Sequence, residues 1–307
     1  MVLKNGYVLI GLSIAFVLSL LIWTWVVHHR PLLVLDMKNA SALPKRFRTT
    51  SDLVPNTQVN TEGLASLNLI GSGQFSEVAL QWILQRYHKP SLTIIDLRQE
   101  SHGFLNGDAI SWYGPHDAAN ARRSPSQVEQ KQAQLLQELN ALASVQVHEI
   151  FKKTRARVTR TDSRLHPVHE VKSELELAKK HHVNYLRIYV QDHHAPDPHQ
   201  VDRFLSIVKN LPADEWIYLH CRGGSGRTTL FMAMVDIIHH AKQMDFNEII
   251  AREVLLGGKN LSQLPPSNAY KYKSAVERLV FLRKFYEFAR ANPDPLAQSW
   301  SAWSRDH

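Results

Sequence analysis

A lone cysteine stands in the segment WIYLHCRGGSGRTTLFMAMV, between an apolar run that ends at His220 and another that opens near Thr228. A single cysteine is most often a small buried hydrophobe, but the neighbours of this one argue for chemistry. Between Cys221 and Arg227 lie Gly223, Gly224 and Gly226, with Arg222 and Ser225 among them. Glycines permit tight curvature and close approach of the backbone. A turn of this kind, from strand to helix, converges backbone N–H groups on one point, and that point suits a tetrahedral oxyanion. The same field favours the thiolate of Cys221, the nucleophilic form of the side chain. Arg227 offers a planar fork for two phosphate oxygens and can stabilise charge as phosphorus is transferred. The Thr228 hydroxyl can hydrogen-bond the Cys221 sulfur and help it leave in a second step. His220 reads as a structural residue that bonds backbone and holds the thiolate in place, rather than as a base. No GK[ST] string is present, which removes a Walker-type nucleotide loop. This chemistry calls for neither metal nor cofactor.

Expelling an alkoxide from a phosphate ester needs a proton donor. The segment YVQDHHAPDP follows a predicted strand and precedes a predicted helix. Asp192, at the strand's end, is the best candidate. Asp197 reads as a helix cap, and Asp202 faces along that helix. The competing reading leaves Asp192 as a loop aspartate without a catalytic role.

These residues need elements to place them. Trp216 to His220 is a strand and Thr228 to Ala241 an apolar helix. Leu92 to Leu97 (LTIIDL) and Tyr185 to Val190 (YLRIYV) are short runs rich in β-branched residues, suited to buried strands. Ser76 to Tyr87, Ser126 to Ala143, Asn247 to Leu255 and Ser274 to Ala291 carry helical patterns. Ser173 and Glu176 form a capping box that starts another helix. Asp197 caps Pro198 to Asn210, with proline at the first helical position. Pro31 to Asn60 reads as irregular or edge structure, and Gly103 to Asn120 as a long loop. Between Val145 and Val171, VQVHEI, ARVTR and PVHEV look like short strands of a small β subdomain. Strands alternating with helices argue for an α/β fold with a largely parallel central sheet.

Tyr7 to Val27 is apolar and uncharged. About twenty helical residues at roughly 1.5 Å each span a bilayer core, and no small-residue cleavage site follows. The expectation is a membrane anchor over 7–27, or an exported protein should that segment be cleaved, followed by one phosphatase domain over 31–307. With one cysteine in 307 residues, no intramolecular disulfide is possible. The formal net charge of +8 suits an anionic partner without choosing one; no nucleic-acid motif accompanies it.

Three segments together resemble the protein-tyrosine-phosphatase-like phytases: DLRQESHGFLNGDAISWYGPHDAAN, the DHxxPxPxxxDRF pattern from Asp192 to Phe204, and HCxxGxGRTT. The resemblance runs from about Leu43 to Trp303. It implies a phosphatase core with a small β-barrel-like insertion, and hydrolysis of inositol hexakisphosphate. It implies Asp192 as general acid and His193 as a phosphate contact. The Arg of the FRT run falls on Arg48, the Asp of the GxxDxAN run on Asp117, and the Lys after the aromatic residue of the late loop on Lys271, all lining the pocket. Arg157 can stand for a substrate-binding Lys of the insertion. The sequence departs from the family at RGGSG, where Arg222 adds charge at the mouth, and at Ser267, where a second pocket Lys is expected. In DLRQESHG, Asp96 and Arg98 are candidates to pair and brace the sheet, and His102 to fill a loop hydrogen bond. The expected substrate is therefore an inositol polyphosphate. Rival readings are a phosphoinositide or phosphotyrosine phosphatase, and a phosphate-binding module without turnover.

Overall fold

A computed structural model describes residues 31–51, 58–87, 91–114, 119–154 and 157–307. The expected anchor at 7–27 lies outside them. Among the described residues no helix is long and apolar enough to cross a membrane.

Two sheets organise the chain. The first has five strands in the order β10 (Asn184–Arg187), β4 (Leu92–Asp96), β11 (Trp216–His220), β3 (Leu69–Ser72) and β2 (Arg48–Thr49). The first four run parallel and only β2 is antiparallel, as the strand–helix alternation predicts. All five residues of β4 are buried, because apolar clusters cover both faces and leave no solvent side to alternate with. Leu69, Ile95, Ile217 and Leu219 face one cluster, Ile70, Ile94 and Tyr218 the other. Helix α1 (Glu77–Tyr87) and α3 (Glu174–Lys180) pack on the second of these faces. The first receives α4 (Pro198–Asn210), α5 (Gly226–His240), α6 (Phe246–Leu255), α7 (Tyr272–Ala291) and α8 (Trp300–Asp306). Helix α5 is buried along most of its length, as expected of a helix apolar on all sides. The caps predicted at Ser173 and Asp197 both form.

The second sheet has six strands, in the order β8 (Arg157–Pro167), β7 (Ser144–Thr154), β1 (Leu32–Met37), β6 (Asp108–Tyr113), β5 (His102–Leu105) and β9 (Val171–Lys172). The remaining helix, α2 (Pro125–Asn140), contributes Leu136 and Leu139 to its core.

Three expectations are corrected here. Gly103 to Asn120 is not a long loop: it contains the β5–β6 hairpin, turned by Asn106 and Gly107, both with positive φ. An Asn-Gly pair is the preferred two-residue hairpin turn, and the polar residues around it mask the signal. Pro31 to Asn60 is not merely irregular or edge structure, because β1 lies inside the second sheet, bonded to β6 and β7. Its partners lie far along the chain, so no local pattern reveals them. The 145–171 segment forms two eleven-residue strands rather than three short ones.

Candidate active site

The segment from Cys221 to Gly226 leaves the C-terminal end of β11 and enters α5. Its curvature is held from beneath. Gly73 and Gly223 form an isolated bridge, Gln74 N donates to Arg222 O at 3.2 Å, and Cys221 N to Ser72 O at 3.5 Å. Gly224 has φ +67°, and a Cβ there would lie 2.3 Å from Gly73 N; no other residue fits both constraints. Ser225 makes no side-chain cap on α5, so the first amides of that helix stay directed at the loop's centre. Cys221 is buried. The Thr228 hydroxyl lies 3.2 Å from Cys221 Sγ and 3.1 Å from Ser72 O, with one proton to share between them.

Arg227 projects from the first turn of α5 and is fully enclosed. Its Nη1 donates to Glu100 Oε2 at 2.7 Å, Val190 O at 2.9 Å and Leu97 O at 3.2 Å, and its Nη2 to Glu100 Oε1 at 2.8 Å. Nη2 also lies 3.3 Å from Asp192 Oδ1. Burial opposes the charge of Arg227, but Glu100 and then Asp192 outweigh it and hold the guanidinium more firmly protonated than usual. Burial likewise opposes ionisation of Glu100, and Arg227 with Arg98 drives its carboxyl well below the usual range.

Asp192 lies in the loop from β10 to α4. Gln99 N donates to Val190 O at 3.3 Å, which ties that loop to the chain beyond β4, and His194 Nδ1 lies 3.1 Å from Glu277 of α7. His193 adopts φ +71° and puts Nε2 3.1 Å from Asp192 Oδ2. Burial, with Lys271, Arg227 and Arg278 nearby, pushes the imidazole down to about 4 against the pull of Asp192. A neutral imidazole there can donate one hydrogen bond without competing for the Asp192 charge.

The expected site residues do not all converge. Asp192, His193, Cys221, Arg222, Gly223, Ser225, Gly226 and Lys271 line one cleft of about 440 Å³. Arg48 does not. It is buried beneath the loop, donating to Gly224 O and to Thr229 Oγ1, each at 3.0 Å. The arginine that lines the cleft is Arg46, in the turn before β2, where its φ of +56° redirects the chain; it donates to Gly223 O at 2.8 Å. Asp117 lies outside the described residues, and Arg157 opens β8 at the far end of a hairpin. His220 does not bond backbone through Nε2; that nitrogen lies 2.6 Å from Glu174 Oε1. The charge that Arg222 was expected to add is matched by Asp36, 2.6 Å from its Nε, and Arg222 lies over the Tyr113 ring. Asp96 pairs with Arg187 and His102 rather than with the Arg98 side chain, which instead joins Asp36 and Glu100. His102 Nδ1 does make a loop hydrogen bond, 2.8 Å from Glu100 O.

Sequence reasoning missed Glu100, Glu174, Asp36, Lys259 and Arg278. One signal existed: a phosphate-binding arginine buried at a helix start needs a carboxylate, and DLRQESHG holds a suitable one. A further buried acid, Glu253, lies near Arg48 with neither oxygen hydrogen-bonded. Burial outweighs the attraction of Arg48 and pushes its carboxyl up to about 8.

Comparison with known proteins agrees with this geometry. The family described as PTP-like phytase, inositol hexakisphosphate, matches residues 95–239. The effector protein hopD2 of Pseudomonas syringae pv. tomato is 33% identical over 266 residues, covering 84% of this chain and 56% of its own. The PTP-like myo-inositol phosphatase of Mitsuokella multacida, solved in complex with myo-inositol-(1,3,4,5)-tetrakisphosphate, is 34% identical, with a TM-score of 0.84 over 91% of this chain and 48% of its own. A PTP-like phytase from Bdellovibrio bacteriovorus is 29% identical, with a TM-score of 0.71 over 89% of this chain and 94% of its own. The chain thus spans about half the length of the first two.

Two outcomes follow from the loop and its support. Gly224→Ala should abolish turnover and lower the melting temperature, since backbone atoms rather than a flexible side chain occupy the Cβ position; both are read by a phosphate-release assay and thermal denaturation. Glu253 should make stability fall as pH rises. Its folded pKa of about 8 exceeds the ordinary 4.5, so between those values the folded chain holds a proton that the unfolded chain has lost. The cost approaches roughly 3 kcal/mol at pH 7 and levels off above pH 8. Glu253→Gln removes this dependence, so its melting-temperature gain over wild type should be small at pH 5 and larger at pH 8. A constant gap would mean that Glu253 is charged in the fold.

Proposed function

We propose, on the premise that this chain belongs to the protein-tyrosine-phosphatase-like phytase family, that it is a cysteine phosphatase hydrolysing phosphomonoesters of myo-inositol polyphosphates. One observation carries the reading. The buried Arg227 fork, braced by Glu100, touches Asp192 at 3.3 Å at the rim of a glycine loop that begins with Cys221. Nucleophile, oxyanion clamp and proton donor are thereby brought together, which is what geometry must supply for covalent phosphoryl transfer. The Mitsuokella protein with its bound inositol tetrakisphosphate supports the substrate class.

The steps need no metal. The Cys221 thiolate attacks phosphorus as the bond to the leaving oxygen breaks. Arg227 and the loop amides hold the remaining phosphate oxygens, and Asp192 gives its proton to the leaving inositol oxygen. A cysteinyl-phosphate results. Water then attacks phosphorus, Asp192 takes its proton back, and the thiolate leaves with the help of the Thr228 hydroxyl. The apolar run at 7–27 is proposed as a membrane anchor of the whole.

A second reading has its own observation. A depression of about 420 Å³, bounded by Leu43, Ile150 and Phe151, continues the cleft through Asp36, Lys45 and Arg222. Inositol hexakisphosphate has nothing apolar to place there, whereas a phosphoinositide or a phosphotyrosine segment does. Phosphate release from inositol hexakisphosphate, a phosphoinositide and a phosphotyrosine peptide decides between them, and release from none leaves a binding module.

Cys221→Ser should retain substrate binding and release no phosphate, measured by calorimetry and phosphate assay; full activity of that variant would end the covalent mechanism. Asp192→Asn should lower kcat/KM for the inositol ester by about 10²- to 10⁴-fold. The loss should be far smaller for p-nitrophenyl phosphate, whose leaving group departs without a proton. Equal losses on both esters would remove Asp192 from the role of acid.

A further inference from the structure

Among the buried carboxyls of the described residues, Glu253 of α6 stands apart. Asp36, Asp96, Glu100, Glu174 and Asp236 each meet an arginine or histidine nitrogen at 2.6 to 3.0 Å. Glu77 meets Lys180, and Glu215 accepts from the Ser91 and Thr93 hydroxyls. Glu253 is fully buried, yet neither of its oxygens has a hydrogen-bond partner.

Its position is behind the phosphate loop, away from the cleft lining. Gly258 N donates to Glu253 O at 2.8 Å, and a Cβ on Gly258 would lie 3.0 Å from Thr229 Cγ2. The Thr229 hydroxyl is a junction. It donates to Ser225 O at 2.5 Å and accepts from Arg48 Nη2 at 3.0 Å and from Lys259 N at 3.1 Å. Arg48 Nη1 donates to Gly224 O and to Arg46 O, each at 3.0 Å. Two consecutive carbonyls of the loop, those of Gly224 and Ser225, are therefore held by Arg48 and Thr229.

Glu253 is the carboxyl that Arg48 feels most, and Arg48 the cation that Glu253 feels most. The other charges facing Glu253 are Asp236 of α5 and Arg252 of its own helix. Arg252 is committed to Asp236 at 3.1 Å, and Asp236 also holds His240 Nδ1 at 2.7 Å. Burial, with repulsion from Asp236, keeps the Glu253 carboxyl protonated up to about 8 against the pull of both arginines. Protonated, it leaves the Arg48 fork to the loop and Thr229. A carboxylate in the same place is costly until a cation joins it, and it competes with two neutral acceptors for the guanidinium.

We propose that Glu253 is a positioning residue for the phosphate loop: protonated, it lets Arg48 hold Gly224 and Thr229, and ionised, it draws Arg48 off them and slackens the loop. This rests on the phosphatase reading above, and it gives that reaction an alkaline limit set from behind the site rather than by the groups that touch substrate.

The test compares the full wild-type chain with Glu253→Gln, which stays neutral, by calorimetric binding of orthophosphate at pH 6 and pH 9. Circular dichroism at both pH values establishes that the compared chains are folded. The two should bind alike at pH 6. At pH 9 the variant should bind about tenfold more tightly, the loss in wild type being that of one hydrogen bond from a charged donor. Titrations of the anion, of Cys221 and of Lys259 are common to both chains and cancel in the ratio. The same ratio at both pH values would overturn the proposal. In an Arg48→Gln background the gap at pH 9 should vanish; a gap that persists would give the coupling to Arg252 and overturn it as well. Should Glu253→Gln fail to fold, Glu253→Leu carries the same comparison. The kcat/KM for p-nitrophenyl phosphate should show the same gap, but turnover is not needed for the binding readout. A gap in binding without turnover of any ester would sink the phosphatase reading and keep the role of Glu253; turnover with a constant ratio would do the reverse.

Discussion

Arg227 and Glu100 meet through two parallel hydrogen bonds of 2.7 and 2.8 Å in a place without solvent. Neither charge could remain there alone: removing one partner of a buried pair costs about 3–5 kcal/mol, because the other is left desolvated. Paired, they form a rigid platform. Two of the five donors of the guanidinium are committed to the carboxylate, and Nη1 also reaches Leu97 O and Val190 O. What remains of the fork faces the loop and Asp192. Preorganisation of this kind matters because the oxyanion meets a donor that needs no further reorientation.

From that platform the charges extend in sequence. Glu100 also holds Arg98, Arg98 reaches Asp36, and Asp36 holds Arg222 at the mouth. Burial opposes ionisation of Asp36, but Arg222 and Arg98 overcome it and keep the carboxyl below its usual range. A second network lies beneath His220, where Glu174 meets both His220 and His102, and His102 meets Asp96. The second network joins the two sheets, with His102 in the six-stranded one and Asp96 and His220 in the five-stranded one; the first ties Asp36 of the six-stranded sheet to the loop through Arg222 and to the first turn of α5 through Arg98, Glu100 and Arg227. The loop is thus positioned by the junction of the two sheets and not by its own residues alone.

Support from beneath the loop is of another sort. Gly224 closes against the Gly73 backbone, and Arg48 clamps Gly224 O to the side chain of Thr229. These contacts fix the curvature without reaching the space a phosphate would occupy. Among the cations that line the cleft, Arg222 is balanced by Asp36, whereas burial lowers the pKa of Lys259 and of Arg278. Unbalanced charge in a partly desolvated cleft acts at short range more strongly than the same charge on an open surface.

The strand, the glycine turn with Cys221 and Arg227, and the loop that carries Asp192 were all legible in the sequence, as were most helices and the parallel core. Each rests on residues close together along the chain: apolar periodicity, a proline at a helix start, glycines where backbone must turn. The β5–β6 hairpin was equally local, but its Asn-Gly turn was hidden among polar residues. What only the tertiary structure decided is which charges meet. Arg227 and Glu100 are 127 residues apart, Arg222 and Asp36 are 186, and Arg48 lies behind the loop although Arg46, two positions earlier, lies in the cleft. Such pairings follow from strand order and from turns such as the one at Arg46 that precedes β2. The sequence by itself therefore determined the glycine loop with its cysteine and arginine, because backbone curvature and the residues along it are encoded locally. The folded chain alone decided how each charge is balanced, because that depends on burial and on partners brought together by topology.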